Sequence, residues 1–161
     1  MPTLLYKMDF TKNITREEFA HIAVKLYDRI LGNDVRIQMI PNNPFTDTDD
    51  IEILWAYQYG ITYGTSDTTF SPYDLITREQ MATMILRVLS KAGINMDVKW
   101  NNVSRFKDDY LMHDWGRTAI YYMSDSGIIK GIGNNTFDVE GKATIEQAVL
   151  ISVRCAEKYI R

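Results

Sequence analysis

Residues 76–80 read Ile-Thr-Arg-Glu-Gln, and nearly the same phrase, Ile-Thr-Arg-Glu-Glu, stands at residues 14–18. A third copy, Ala-Thr-Ile-Glu-Gln, follows at residues 143–147. Successive copies are separated by 62 and 67 positions. Self-similarity at a steady period is typical of repeat architectures, so the spacing predicts an array of units about sixty residues long.

Identities on both sides of the phrase extend the match between the second and third copies. The matched pairs are Phe45 with Phe106, Asp47 with Asp108, Gly60 with Gly127, Gly64 with Gly131 and Phe70 with Phe137.

The first copy is incomplete, because a shift of 62 positions places Met8 under Phe70 and leaves no residues under the earlier part of the unit. We therefore divide a single domain, residues 1–161, into a partial first repeat (1–31), a second repeat (45–94) and a third repeat (106–161).

Each copy of the phrase is first of all a helix start. A threonine is followed three positions later by Glu or Gln, which is the capping-box pattern. Apolar residues at helical spacing follow each cap and predict three amphipathic helices packed against one another. The predicted apolar stripes are Phe19, Ile22, Ala23, Leu26 and Ile30, then Met81, Met84, Ile85, Val88 and Leu89, then Val149, Val153, Ala156 and Ile160.

Two shorter helices are predicted at residues 50–59 and 113–126, and each is followed by a glycine suited to a helix C-terminus. The sequence thus predicts an all-α fold, a pseudo-threefold helical repeat array. Three central capped helices would be joined by long loops to shorter outer helices.

Composition narrows the classes of partner. A formal net charge of −3 gives no reason to expect a nucleic acid, and no apolar run approaches the roughly 18 residues of a membrane span. Residues 1–7 lack the basic start and apolar stretch of a signal peptide. The single cysteine, Cys155, lies among apolar neighbours, so we expect it to be buried rather than reactive.

Catalytic and metal-binding patterns are weak, so we predict no enzyme activity, cofactor or metal. Asp47-Thr48-Asp49-Asp50 opens like a calcium loop, but Glu52 and Gln58 stand where that loop needs Gly and Glu. We therefore interpret the stretch as a helix cap. His21 and His113 are the only histidines, and no cysteine cluster or paired histidines accompany them.

Capping explains the Thr and Glu of the phrase but not its arginine. Arg16 and Arg78 stand in the first helical turn, where a cation typically costs about 0.3–1 kcal/mol. Two explanations stay open. Each arginine could pair with a nearby carboxylate such as Glu17 or Asp47, or could join the helix N-terminus in binding an anion.

The order of these motifs resembles the S-layer homology domain family, and the match covers nearly the whole chain. In this sequence the order runs Phe45-Thr46-Asp47, Gly60-Ile61-Thr62-Tyr63-Gly64, Phe70-Ser71-Pro72 and Ile76-Thr77-Arg78-Glu79. The resemblance implies three repeats around a central bundle of the capped helices. It also implies a non-catalytic module that anchors proteins in the cell envelope by binding secondary cell-wall polysaccharide, often through pyruvylated amino sugars held in grooves between repeats.

The resemblance also implies candidate ligand residues. Arg16 and Arg78 would bind the pyruvyl carboxylate, and Asp47 and Asp108 would orient an arginine or accept sugar hydroxyls. Gly64 and Gly131 would let backbone approach the sugar, while Thr65 and Ser66 would supply hydrogen bonds. Trp115 either packs in the core, which we favour, or stacks on a sugar face. Tyr57, Tyr59, Tyr63 and Tyr73 either line a carbohydrate groove or simply pack.

Departures from the family pattern favour an alternative function. Ile145 replaces the arginine in the third phrase, and the first repeat lacks its opening helix. The uncovered apolar surface could be covered by residues 1–12 or by another chain, and we hypothesise self-association there. The alternative is therefore a structural or protein-interaction module that has lost glycan binding. Under either function we expect the cell wall as the location if the chain belongs to an exported protein, and attachment to a larger surface protein.

Overall fold

The computed structural model describes residues 9–32 and 42–160, and within them it confirms the all-α prediction. Short 3₁₀ turns stand at Trp100–Asn102 and Asp109–Leu111, and the described residues form isolated β-bridges but no sheet. None of their helices is long and apolar enough to cross a bilayer. The helices are α1 (Arg16–Leu31), α2 (Ile51–Gln58), α3 (Arg78–Lys91), α4 (Asp114–Asp125) and α5 (Ile145–Tyr159).

The predicted caps begin the three long helices. Thr15, Thr77 and Thr144 each accept a hydrogen bond from the backbone N–H three residues on, and the Glu or Gln there accepts one in return. Asp50 caps α2 by accepting the N–H groups of Glu52 and Ile53, without a reciprocal bond, which confirms that the Asp47–Asp50 stretch is a helix start. Such caps satisfy N–H groups that a helix otherwise leaves unpaired.

A closed ring of backbone hydrogen bonds joins the three capped helices at their N-termini. Ile76 N–H donates to Ile14 O over 3.1 Å, Ala143 N–H to Ile76 O over 2.9 Å, and Ile14 N–H to Ala143 O over 2.9 Å. All three residues are at least 98% buried. Because each repeat donates to one neighbour and accepts from the other, the ring has threefold symmetry and holds the repeats in fixed register.

A second set of hydrogen bonds follows the same threefold pattern two residues further along each repeat. The N–H groups of Arg16, Arg78 and Ile145, the first residue of each long helix, donate to Asp74 O, Gly141 O and Lys12 O over 2.8, 2.8 and 2.9 Å. Each helix start is therefore bound to the loop of the following repeat, or of the first repeat in the case of α5. This brings the arginine of one repeat against the loop of the next.

The two short helices pack on the outside of the central three. Helix α2 lies against α1, and α4 lies against α3. One continuous apolar core runs beneath them, built around Phe19, Phe70, Ile85, Ile120 and Phe137.

Helix α5 is rotated relative to the prediction. Its buried residues are Ala148, Ile151 and Cys155, whereas Val149 and Val153, which we predicted to face the bundle, are 42% and 46% exposed. The helix carries apolar residues on two sides, and no described helix packs on its outer side as α2 packs on α1. The burial predicted for Cys155 is confirmed, and burial raises the pKa of its thiol to about 12.

An aspartate holds each long loop against the core. Asp108 accepts hydrogen bonds from the N–H groups of Phe137, Asp138 and Val139 over 2.8–3.1 Å. Asp47 accepts from Phe70 and Ser71 over 2.9 and 2.8 Å in the preceding repeat. These bonds hold the loops where the buried Phe70 and Phe137 rings enter the core, a few residues before the phrase begins.

Replacing Asp108 by Asn should destabilise the fold. The amide removes the charge and one of two acceptor atoms, and hydrogen bonds to a charged group contribute about 1.5–3 kcal/mol each. We expect Asp108→Asn to lower the free energy of unfolding in urea by about 2 kcal/mol. The exposed Asp97→Asn is the control; an equal effect of the two substitutions would contradict the role of Asp108.

Asp47 should make stability depend on acid pH. The Phe70 and Ser71 N–H groups, with a contribution from Arg16, hold the pKa of Asp47 below its usual value. A depressed pKa stabilises the fold above the unfolded-state pKa of about 3.9, and this contribution disappears as pH falls through the folded-state value. Urea titrations between about pH 5 and pH 2 should show a smaller loss of stability for Asp47→Asn than for the parent chain.

Candidate functional site

A groove of about 370 Å³ lies where the start of α1 meets the loop after α2 and one side of α3. It therefore lies between the first and second repeats, where the resemblance placed a ligand. The lining residues are Arg16, Thr62, Tyr63, Gly64, Thr65, Gln80, Thr83, Met84, Arg87 and Trp115. Four of the predicted site residues, Arg16, Gly64, Thr65 and Trp115, come together here.

Arg16 is 95% buried, and much of its side chain serves the fold. Its Nε donates to Phe70 O over 3.0 Å, and its guanidinium lies over the Phe70 ring at 4.8 Å from the centroid. Burial lowers the pKa of this guanidinium; Asp74 and Asp47 act in the opposite direction and Arg87 in the same direction. The terminal nitrogens make no hydrogen bond to the described residues, and Arg16 lines the groove.

Arg87 is a second cation in the groove, and our sequence analysis missed it. It comes from the middle of α3, and its guanidinium lies over the Tyr63 ring at 4.5 Å from the centroid. Burial lowers its pKa, while Tyr63 acts in the opposite direction. A signal did exist, because Arg154 stands at the same position of the third repeat and Lys25 at that of the first.

The groove is electropositive. Two guanidinium groups line it, and none of its lining residues is Asp or Glu, although Asp74 and Asp47 lie close enough to act on Arg16. Hydroxyl and amide groups of Thr65, Gln80 and Thr83 accompany the arginines. Such an arrangement suits an anion that also carries hydroxyl groups, because guanidinium groups bind carboxylates with paired, charge-assisted hydrogen bonds.

Trp115 is a wall of the groove, so the core position that we favoured is wrong. Its side chain is 49% exposed and stacks on His113 with a centroid distance of 5.0 Å. Helix α4 instead turns its neighbour, Gly116, toward the core, where a Cβ would lie 2.5 Å from the Glu79 side chain. This close approach directs Trp115 outward, where an aromatic face is available to a ligand.

The other predicted residues support the loops. Both oxygens of Asp47 and of Asp108 accept backbone N–H groups, and the Ser66 hydroxyl bonds Thr69 within its loop. A Cβ at Gly64 or Gly131 would lie 2.5 or 2.6 Å from a carbonyl of the same loop, so close packing already explains both glycines. Their assignment as ligand residues stays a prediction.

The position around Arg78 repeats the geometry with different chemistry. Its Nε donates to Phe137 O over 2.9 Å and its Nη2 to Lys130 O over 2.7 Å, while the guanidinium lies 4.8 Å from the Phe137 centroid. Thr83 is replaced there by Leu150, and Arg154 donates to Ile128 O over 3.1 Å. More of the cationic nitrogens are therefore bound to protein than at the Arg16 groove.

One cluster has the donor types of a metal site. Single ligand atoms of Glu17, His21 and Asp50 lie within 4.8 Å of one another. However, Asp50 Oδ1 already accepts the N–H groups of Glu52 and Ile53 and lies 2.9 Å from His21 Nε2. The cluster is accounted for as the cap that fixes α2 on α1.

Comparison with known proteins gives a consistent result. The S-layer homology domain family matches residues 44–82 and 105–149, just over half of the chain. Cell surface glycoprotein 1 of Acetivibrio thermocellus is 29% identical over 155 residues, and an amylopullulanase of Thermoanaerobacterium thermosulfurigenes is 32% identical over 149. Each alignment covers 91% of this chain but only 6% and 8% of those proteins.

Among solved structures, an undecaheme cytochrome from the S-layer of Carboxydothermus ferrireducens is similar over 93% of this chain and 18% of its own. The sequence identity is 12% and the TM-score 0.49. The two matched regions overlap the second and third repeats that we predicted, and they contain Asp47, Asp108 and the caps of α3 and α5. The chain therefore belongs to the S-layer homology domain family, whose members are non-catalytic modules that anchor proteins at the cell surface.

Proposed function

We propose that this chain anchors a surface protein by binding an anionic cell-wall polysaccharide in the Arg16–Arg87 groove. The observation that carries the proposal is the pair of guanidinium groups in a groove without a lining carboxylate. A pyruvyl ketal on an amino sugar is the ligand that we favour, since it presents a carboxylate beside hydroxyl groups. The groove volume of about 370 Å³ lies at the lower end of the range for ligand sites.

Two cations held by different contacts support this assignment. Arg16 is fixed by Phe70 O and the Phe70 ring, so its planar fork is preorganised toward the groove. Arg87 lies over the Tyr63 ring and makes no hydrogen bond among the described residues, so it is held by fewer contacts than Arg16. Preorganised donors lose little entropy on binding.

The aromatic and hydroxyl groups of the groove fit the rest of a sugar. The exposed face of Trp115 offers stacking, and Thr65 and Thr83 offer hydrogen-bonding oxygens. We assign the second groove, at Arg78, a weaker role, because two of its guanidinium nitrogens are already bound to carbonyls. The position at Ile145 has no charge to offer.

Location and partner follow from the same proposal. Both relatives carry the matched region as a small share of a much longer protein. We propose that this chain acts in the same way. It would belong to an exported protein, lie at the cell wall and be attached to a larger surface polypeptide. The binding chemistry described requires no metal or cofactor.

Replacing Arg87 by Ala should abolish most of the binding while leaving the fold intact, because Arg87 makes no hydrogen bond among the described residues. Loss of a charge-assisted contact to a carboxylate should weaken affinity by about tenfold or more. Calorimetry with purified cell-wall polysaccharide measures this. Arg154→Ala, at the same position of the third repeat, is the matched control; equal affinities for both variants would contradict the proposal.

Chemical removal of the pyruvyl groups should weaken binding to the parent chain as strongly as Arg87→Ala does. Charge-assisted hydrogen bonds need the ligand carboxylate, so the treatment should reduce binding to the Arg87→Ala variant, which keeps only Arg16, less than it reduces binding to the parent chain. Pull-down with both polymer preparations checks this. Undiminished binding of the treated polymer would assign the groove to another sugar group.

A second candidate function rests on a different surface. Helix α5 exposes an apolar face that includes Val149, Val153 and Ile160. This face favours the protein-interaction module that the sequence raised as an alternative, and the self-association that we hypothesised would use it. We also named residues 1–12 as a cover for this edge, and of these residues 1–8 lie outside the described residues. Failure of the chain to bind any cell-wall polymer would favour this alternative.

A further inference from the structure

Glu79 is a buried carboxylate in the first turn of α3, next to Gln80, which lines the Arg16–Arg87 groove. It is 97% buried and is not itself a lining residue. Burying a carboxylate is costly unless hydrogen bonds compensate for the lost water. Both of its oxygens meet His113: Oε1 accepts the backbone N–H and Oε2 lies beside the ring Nδ1, each over 2.7 Å.

His113 begins α4 without capping it through its side chain. The described helices α1, α2, α3 and α5 each begin at a Thr or Asp whose side chain accepts a backbone N–H of the first turn. His113 stands at the same place in α4 but makes no such bond, and its ring lies against Glu79 instead. Side-chain caps stabilise a helix. The contact with Glu79 therefore replaces a favourable local interaction by one that joins two helices.

The ring of His113 also stacks on the Trp115 indole, with centroids 5.0 Å apart and an interplanar angle of 18°. Two contacts thus act on one imidazole, because the carboxylate holds its edge while the indole packs on its face. A hydrogen bond to one ring nitrogen fixes the orientation of an imidazole. It therefore also fixes the plane against which the indole packs. Glu79, His113 and Trp115 form a continuous chain of contacts from α3 to the groove.

Trp115 is the one described lining residue of the groove that comes from the third repeat. The others belong to α1, α3 and the loop after α2. The position of this wall consequently depends on how the start of α4 is held against α3. Gly116 permits the close approach, because a Cβ there would lie 2.5 Å from Cγ and Oε1 of Glu79.

We propose that Glu79 is a positioning residue for the groove, which acts through His113 to fix the orientation of the Trp115 indole. The proposal rests on the proposed function for what the groove binds, but the positioning itself requires no ligand. An indole held in one orientation keeps its stacking face ready for a sugar and loses less entropy on binding.

Electrostatics alone predicts the opposite effect of Glu79. A carboxylate near two guanidinium groups should weaken the binding of an anion, so its neutralisation in Glu79→Gln should strengthen binding. Positioning predicts that the same substitution weakens binding. The sign of the effect therefore separates the two roles.

Fluorotryptophan labelling tests the positioning without a ligand. The chain has three tryptophans, and Trp115→Phe identifies the signal of Trp115 in fluorine NMR. Glu79→Gln and His113→Ala should each move this signal toward that of free fluorotryptophan. His113→Ala removes a largely exposed ring, so it tests the proposal even if Glu79→Gln fails to fold. His21→Ala, which breaks the pair with Asp50, is the control and should leave the signal in place. A signal that neither variant at the Glu79–His113 pair moves would overturn the proposal.

The protonation of the His113 ring supplies a second signature. A carboxylate only accepts hydrogen bonds, so Nδ1 should carry a proton in the parent chain. In Glu79→Gln the amide oxygen must accept the backbone N–H, which can only donate; the amide nitrogen then faces Nδ1, and the proton should move to Nε2. Nitrogen-15 NMR of the imidazole distinguishes these states. A proton on Nε2 alone in the parent chain would overturn the proposal.

A double-mutant cycle with purified cell-wall polysaccharide shows whether Glu79 acts through Trp115. Glu79→Gln and Trp115→Ala should each weaken binding by about three- to tenfold, the range expected for one aromatic contact. In the Trp115→Ala background, Glu79→Gln should cause no further loss. Tighter binding by Glu79→Gln, or a fully additive loss in the double variant, would overturn the proposal. A parent chain that binds no polymer would contradict the proposed function instead, and the two NMR measurements would still decide the positioning.

Discussion

The ring of hydrogen bonds among Ile14, Ile76 and Ala143 is the interaction on which the rest of the structure depends. It joins residues that are 62, 67 and 129 positions apart and fixes the three helix starts side by side. Each bond alone contributes only about 0.5–1.5 kcal/mol, but together they determine which loop meets which helix. The groove exists because this register brings Arg16 of one repeat against residues 62–65 of the next.

The structure explains why arginine stands in the first turn of α1 and α3, where helix electrostatics disfavour a cation. A cation in the first turn is unfavourable, yet neither of the two explanations that we left open accounts for it fully. Arg16 and Arg78 donate to the carbonyls of Phe70 and Phe137 and cover the rings of the same residues. These contacts offset the cost of the position, and at Arg16 they leave the outer nitrogens without a hydrogen bond to the described residues. The Arg16 side chain thus anchors the loop and also contributes a cation to the groove.

Local chemistry made much of the fold predictable. The capping threonines, the aspartate at the start of α2 and the glycines after the short helices act within a few residues, so their signals are visible in the sequence. The role of Asp47 and Asp108 was harder to foresee. Their partners lie more than 20 positions away, and the loop that they hold has no regular pattern.

Features that depend on tertiary neighbours escaped prediction. Helix α5 is apolar on two sides, and only the packed structure shows that Ala148 and Cys155 face inward while Val149 and Val153 do not. Arg87 was not among the predicted site residues, because its position over the Tyr63 ring depends on the loop after α2. Trp115 was misjudged because its direction is determined by the tight contact of its neighbour Gly116 with Glu79.

The closure of the ring has a consequence for how the chain acquires its structure. In an open solenoid each added repeat needs only its neighbour, so folding can begin anywhere and spread. Here the first helix start must meet the last, and the contact between Ile14 and Ala143 spans 129 positions of the chain. Contacts so distant in sequence form slowly because the loop must close first. The three repeats therefore constitute one cooperative unit rather than three.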